Sequence, residues 1–153
     1  TVGARLQRLG KDGSVRFWWL DEAVRKELDV GNYPEPLKRF AAGWQDKKIA
    51  EQAAKLINGW PYKEYLYPGS MPALEHVTKL GEVGIVSDGD ADYQPRKIAS
   101  AGLTEAVGGP ADVLIYVHKD QCFEDIMRRM PGRQYVIIDD KEKLLAAAKD
   151  YMG

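Results

Sequence analysis

Three points along the chain carry residue types suited to phosphate chemistry, and each directly follows a short apolar run. "VGIV" (83–86) leads into Ser87-Asp88, "DVLIYV" (112–117) into His118-Lys119, and "YVII" (135–138) into Asp139-Asp140. A hydroxyl and backbone N–H groups can donate to phosphoryl oxygens, and an ammonium offsets their charge. Adjacent carboxylates are hard oxygen ligands for Mg²⁺, which usually keeps several waters. The set lacks an obvious nucleophile, which phosphoryl transfer also needs.

Each member has a plainer reading. Ser87-Asp88-Gly89 is good turn chemistry. Lys119 could be a solvated charge opening a helix, and Asp139-Asp140 could start the last helix, where carboxylates are favoured. The recurrence at three run ends argues for a site. "VSDGDAD" (86–92) also resembles a calcium loop in its alternating aspartates. A loop starting at Asp88 would need Gly at its sixth position and Glu at its twelfth, and the chain has Tyr93 and Ala99 there. His76 and His118 lie far apart in sequence, so a histidine zinc site is not expected. Cys122 is expected to be a core residue on a helix rather than a nucleophile.

The elements that must position these groups follow from periodicity. Continuous apolar runs of this length fit strands buried on both faces, as in a parallel sheet. Each run is followed by a helical stretch, at 95–101, 120–130 and 141–151, so the pattern predicts right-handed βαβ units. Ligands of such sheets bind at the carboxyl ends of the strands. Ser87, Asp88, Lys119, Asp139 and Asp140 should therefore converge on one edge. The first 60 residues read as helical instead. Phe17, Leu20, Val24 and Leu28 share one predicted face after an expected cap at Ser14. Ile49, Ala53, Leu56 and Ile57 share another, on a helix expected to stop at Asn58-Gly59. Trp18, Trp19, Trp44 and Trp60 all fall in this part and are expected to pack. Leu74, Val77 and Leu80 should face inward from a helix after "YPG".

The 153 residues suit one domain with an inserted subdomain. With 44% hydrophobic and 29% charged residues the chain is globular in composition. A net charge of −1 and a pI near 6.1 give no basic excess for nucleic acid. Apolar runs of four or five residues are far below the roughly 20 that span a bilayer. One cysteine excludes an intrachain disulfide and fits a reducing compartment, so a cytoplasmic location is expected, with neither nucleic-acid nor membrane partners.

The segment "YPGSMPALEHVTKLGEVGIVSDGDADYQPRKIASAGL" resembles the second motif region of the haloacid dehalogenase-like superfamily, where a strand ends in Ser or Thr. "VHKD" is similar to its third motif, a lysine near a helix start, and "YVIIDDKEKLLAAAK" to its fourth, an acidic pair after an apolar strand. The resemblance covers roughly 67–153. It implies an α/β fold, a Rossmann-like three-layer sandwich with a parallel sheet, with 1–66 as a partial helical cap subdomain and 67–153 as a partial core. By the same resemblance, Ser87 and Lys119 are catalytic. Ser87, Asp88 and Lys97 bind substrate, and Asp139 and Asp140 hold Mg²⁺.

The chain departs from the family at the first motif, an Asp-x-Asp pair after a central strand. Asp12, Asp21, Asp29 and Asp46 are isolated and follow no apolar strand. "VGIVSDGD" could itself be that motif, with Asp88 and Asp90 as the pair, but this conflicts with the order of the other motifs. The central strand is therefore expected from another segment or chain, and the intact polypeptide is expected to exceed 17.2 kDa. The function implied is a Mg²⁺-dependent phosphatase acting on a small phosphorylated substrate through an aspartyl-phosphate, with its nucleophile outside these residues. A haloacid dehalogenase and a non-catalytic binding or assembly module are the alternatives.

Overall fold

The computed structural model describes residues 13–29, 34–43 and 47–152. Three helices come first: α1 (Gly13–Leu28), α2 (Pro34–Ala42) and α3 (Lys47–Asn58). α3 stops where Asn58-Gly59 predicts, with the Gly59 N–H donating to the Lys55 carbonyl at 2.9 Å. Phe17, Val24 and Phe40 are fully buried where α1 meets α2, and the Phe17 and Phe40 rings meet edge-on at 5.9 Å. A bidentate Arg39–Glu27 pair, at 2.7 and 3.0 Å, ties the same two helices.

The expected faces are only partly realised. On α1, Leu28 is exposed and Leu20 half-buried, while Asp21 takes a buried place between Phe17 and Val24. Trp60 is buried against Tyr65, whereas Trp18 and Trp19 are exposed. Trp44 and the side chains of Ser14, Ile49, Ala53 and Ile57 lie outside the described residues.

A 3₁₀ turn (Tyr62–Tyr65) and α4 (Ser70–Val77) lead into β1 (Ile85–Asp88). Leu74 and Val77 are half-buried as expected, but Leu80 lies past the end of α4 and is exposed. Then come α5 (Tyr93–Ser100), α6 (Leu103–Ala106), β2 (Val113–Tyr116), α7 (Phe123–Arg129) and α8 (Glu142–Met152). β1 and β2 are parallel, pairing Ile85 with Val113 through to Asp88 with Tyr116. This is the βαβ unit that the alternation predicts. Leu114 on β2 is fully buried and anchors a core with Phe123 and Ile126 of α7 and Leu144 and Ala148 of α8.

The third apolar run behaves differently. Residues 135–138 join no sheet among the described residues. Val136 is 82% exposed and Ile138 84%. Between this run and the free edge of β1 lies a cavity of about 420 Å³, lined by Gly84, Val86, Met130, Ile137, Leu144 and others. The expected strand 135–138 is thus irregular apolar chain facing the cavity. A strand is held by ladder hydrogen bonds from a neighbour, and none of the described residues forms one beside it.

Candidate functional site

Because β1 and β2 are parallel and in register, Ser87-Asp88 and His118-Lys119 leave the sheet at the same edge. Gly89, at φ +153°, closes the turn by donating its N–H to the Tyr116 carbonyl at 2.8 Å. A Cβ there would lie 2.2 Å from the Gln94 side chain, so the turn takes glycine. The Gln94 amide is itself part of the turn. Its Nε2 donates to the Asp88 carbonyl at 2.9 Å and to Ser87 Oγ at 3.3 Å. Asp90 serves the helix that follows: its Oδ1 accepts from the N–H groups of Asp92 and Tyr93 at 3.0 and 2.7 Å.

Asp88 is the hub of the edge. Its Oδ1 accepts the Lys119 backbone N–H at 2.7 Å, and its Oδ2 accepts Lys141 Nζ at 3.0 Å. The first bond fixes the turn that starts at Lys119. Lys119 is 9% exposed, and its Nζ donates to Asp139 Oδ2 at 2.5 Å and to the Val86 carbonyl at 3.3 Å. It therefore spans the mouth of the slot, from the edge of β1 to the end of the third run. Two of its three donors are engaged.

The second oxygen of Asp139 accepts the Lys141 backbone N–H at 2.9 Å. Burial works against ionisation of Asp139. The bonds and charges of Lys119 and Lys141 outweigh it and hold the carboxyl below the usual range. Lys141 is raised in turn by its bond to Asp88. Two carboxylates and two ammonium groups thus alternate across the strand ends, so each buried charge is matched.

Ser87, Asp88, Lys119 and Asp139 come together as the spacing predicts. Asp140 is adjacent but exposed. Asp88 is engaged within the protein through both oxygens, so it shapes the site. Lys97 lies half-buried on α5 with Nζ 5.9 Å from the Tyr62 ring centroid. Lys141, which no sequence argument singled out, is a partner of Asp88. Its signal was present in "DDK", one residue beyond the acidic pair. Asp29 at the end of α1 approaches His118, with Oδ2 3.5 Å from Nε2, which brings the helical part to the same edge. Cys122 packs against the core cluster, and burial followed by nearby carboxylates pushes its thiol pKa up, as suits an inert thiol.

The donor set fits Mg²⁺ chemically. Magnesium is commonly held by one or two carboxylates together with waters and substrate phosphate oxygens. Asp139 and the exposed Asp140 supply two such carboxylates. No cluster of three or more potential ligand side chains exists among the described residues. No helix among them is long and apolar enough to cross a membrane.

No family profile matches the chain, and no curated protein does. Among solved structures, the fold superposes on the crystal structure of a protein from Burkholderia xenovorans LB400 described as a haloacid dehalogenase-like hydrolase. The TM-score is 0.84 at 36% sequence identity, covering 99% of this chain and 70% of that one.

Proposed function

The chain belongs to the haloacid dehalogenase-like hydrolases, and from that premise we propose that it is a Mg²⁺-dependent phosphatase on a small phosphorylated substrate. The observation that carries this reading is Lys119, held between the Val86 carbonyl of β1 and Asp139 with one donor to spare at the edge where Ser87 leaves the sheet. Ser87 and Lys119 would donate to the phosphoryl oxygens and offset their charge. Asp139 and Asp140 would hold Mg²⁺, which when bound supplies further charge neutralisation at those oxygens.

The nucleophile in this reading is a carboxylate on a strand that is not among these residues, supplied by another segment or chain. The slot supports this. It is apolar, runs beside the free edge of β1, and opens at Lys119 and Asp139. An inserted strand would satisfy the backbone of both flanks, where each unpaired buried group costs about 1–3 kcal/mol. Its last residues would then emerge between Ser87 and Asp139. Attack by that carboxylate forms an acyl-phosphate bond and breaks the substrate P–O ester bond. The leaving oxygen takes a proton from a second acid on the same strand, and water then releases phosphate. Asp88 and Asp90 fit the nucleophile role less well, since both are committed to protein hydrogen bonds. The helical part before residue 67 acts as the cap over this edge, consistent with the approach of Asp29 to His118.

Haloacid dehalogenation is the second reading, favoured by the engagement of the two Asp139 oxygens by Lys119 Nζ and the Lys141 N–H. One experiment separates the two. Protein carrying the missing strand is assayed for phosphate release from p-nitrophenyl phosphate and chloride release from 2-chloropropionate, with Mg²⁺ and with EDTA. Mg²⁺-dependent phosphate release that Lys119→Met abolishes is expected. Chloride release in EDTA would transfer the assignment to a dehalogenase, and silence in both assays to a binding or assembly module.

A further inference from the structure

We propose that Gln94 is a positioning residue for the Ser87 hydroxyl: its side-chain amide fixes Oγ as a donor toward the polar edge and keeps the Asp88 carbonyl bonded when that donor is used. The proposal rests on the hydrolase reading of the edge, which gives Ser87 a phosphoryl oxygen to serve, and adds what directs its proton.

A serine hydroxyl carries one rotating proton and two acceptor lone pairs, so a serine at a strand end does not by itself aim at a ligand. Gln94 removes that freedom. Its Nε2 donates to Ser87 Oγ at 3.3 Å and to the Asp88 carbonyl at 2.9 Å. The carbonyl can only accept, which settles which end of the amide faces the loop. Ser87 Oγ is therefore an acceptor on the Gln94 side, and its own proton must point elsewhere.

In the structure that proton goes to the Asp88 carbonyl, at 3.2 Å. The carbonyl thus accepts from two side chains, and the bond from Gln94 is the shorter. A phosphoryl oxygen reaching the edge can take the Ser87 proton while that shorter bond stays. Without Gln94, serving the substrate would strip the carbonyl of a side-chain donor. A half-buried acceptor that loses its partner carries the penalty of its lost hydration.

The local fold holds Gln94 to this task. It stands in the first turn of α5, where its backbone N–H donates to the Asp90 carbonyl at 3.0 Å. Its stem passes so close to the loop that a Cβ at Gly89 would lie 2.2 Å from Gln94 Cγ. Glycine and glutamine thus fit as a pair: the loop backbone closes on the stem, and the amide reaches the two acceptors beyond it. Asn in this place is one methylene shorter, and Glu has no N–H to give.

Two measurements on the intact polypeptide test it, each variant first being checked for a native melting transition. The first needs no ligand. In nitrogen-labelled protein the Gln94 side-chain amide protons should exchange with solvent about tenfold more slowly than those of the exposed Gln121, and one of them should speed up in Ser87→Ala. Exchange at the Gln121 rate, or no response to Ser87→Ala, overturns the proposal. The second is calorimetric titration with inorganic phosphate. Ser87→Ala should weaken binding about tenfold and Gln94→Met about fivefold, while Gln94→Met added to Ser87→Ala should weaken it no further, because Gln94 acts through the hydroxyl. No weakening by Gln94→Met, or equal weakening in both backgrounds, also overturns the proposal. If the unmodified protein holds no phosphate while the amide protons are slow and respond to Ser87→Ala, the positioning of Ser87 stands and the phosphatase reading falls.

Discussion

β2 and the 135–138 run have the same texture in sequence: four apolar, mostly β-branched or aromatic residues ending in polar ones. Their fates are opposite. β2 pairs with β1, and its Leu114 is fully buried, while Val136 and Ile138 are more than four-fifths exposed. The difference lies in their neighbours, because a run becomes a strand only where another strand satisfies its N–H and C=O groups. Beside 135–138 lies the cavity of about 420 Å³, where β2 has β1.

Mutations can break or sharpen this contrast. The largest effect is expected from Leu114→Ala, which should cost about 3 kcal/mol of stability in urea denaturation by opening a cavity in the core. Ile138→Ala, its counterpart on the exposed run, should stay within about 0.5 kcal/mol. Equal losses would mean that both runs are buried in solution. A loss at Ile138 that grows once an apolar strand is added would sharpen the contrast and support the slot as its seat.

Lys119→Met comes next. It removes the cation that ties the two flanks together and leaves the half-buried Asp139 carboxylate without its main partner. A cost of about 2 kcal/mol is expected, discounted from fully buried pairs because both side chains keep some contact with water. A neutral result would mean that the pair is not formed.

The smallest effect is a pH dependence. Asp139 has a folded pKa below its unfolded one, so its contribution is fully present above the ordinary carboxylate value of 3.8. It is lost as pH falls from there through the lowered folded value. Asp139→Asn should therefore flatten the acid limb of stability below about pH 4, whereas Ile138→Ala should leave its slope unchanged. An unaltered limb in Asp139→Asn would sink the assignment.

Much of the polar edge was legible in the chain. Alternation of apolar runs with helices implied parallel strands, and parallel strands send Ser87 and Lys119 to one edge. That inference needs only the period of the elements and the handedness of their connection. The separate roles of the aspartates were not legible. Asp88, Asp90 and Asp139 are alike in sequence, yet one organises the edge, one starts a helix and one pairs with Lys119. Lys97 was expected at the substrate; the structure shows it over the Tyr62 ring, and nothing in a local window says which neighbour a helix face will meet. Lys141 went unremarked for the same reason.

The sequence by itself determined the α/β class, the order of strands and helices, and which polar residues follow each strand, because these depend on local periodicity and turn chemistry. Tertiary structure alone decided which charges pair, that 135–138 joins no sheet among the described residues, and that Asp21 is buried on α1. These depend on contacts between residues far apart in the chain, as in the bond from Lys141 to Asp88 across 53 positions, and such contacts leave no periodic mark in the chain.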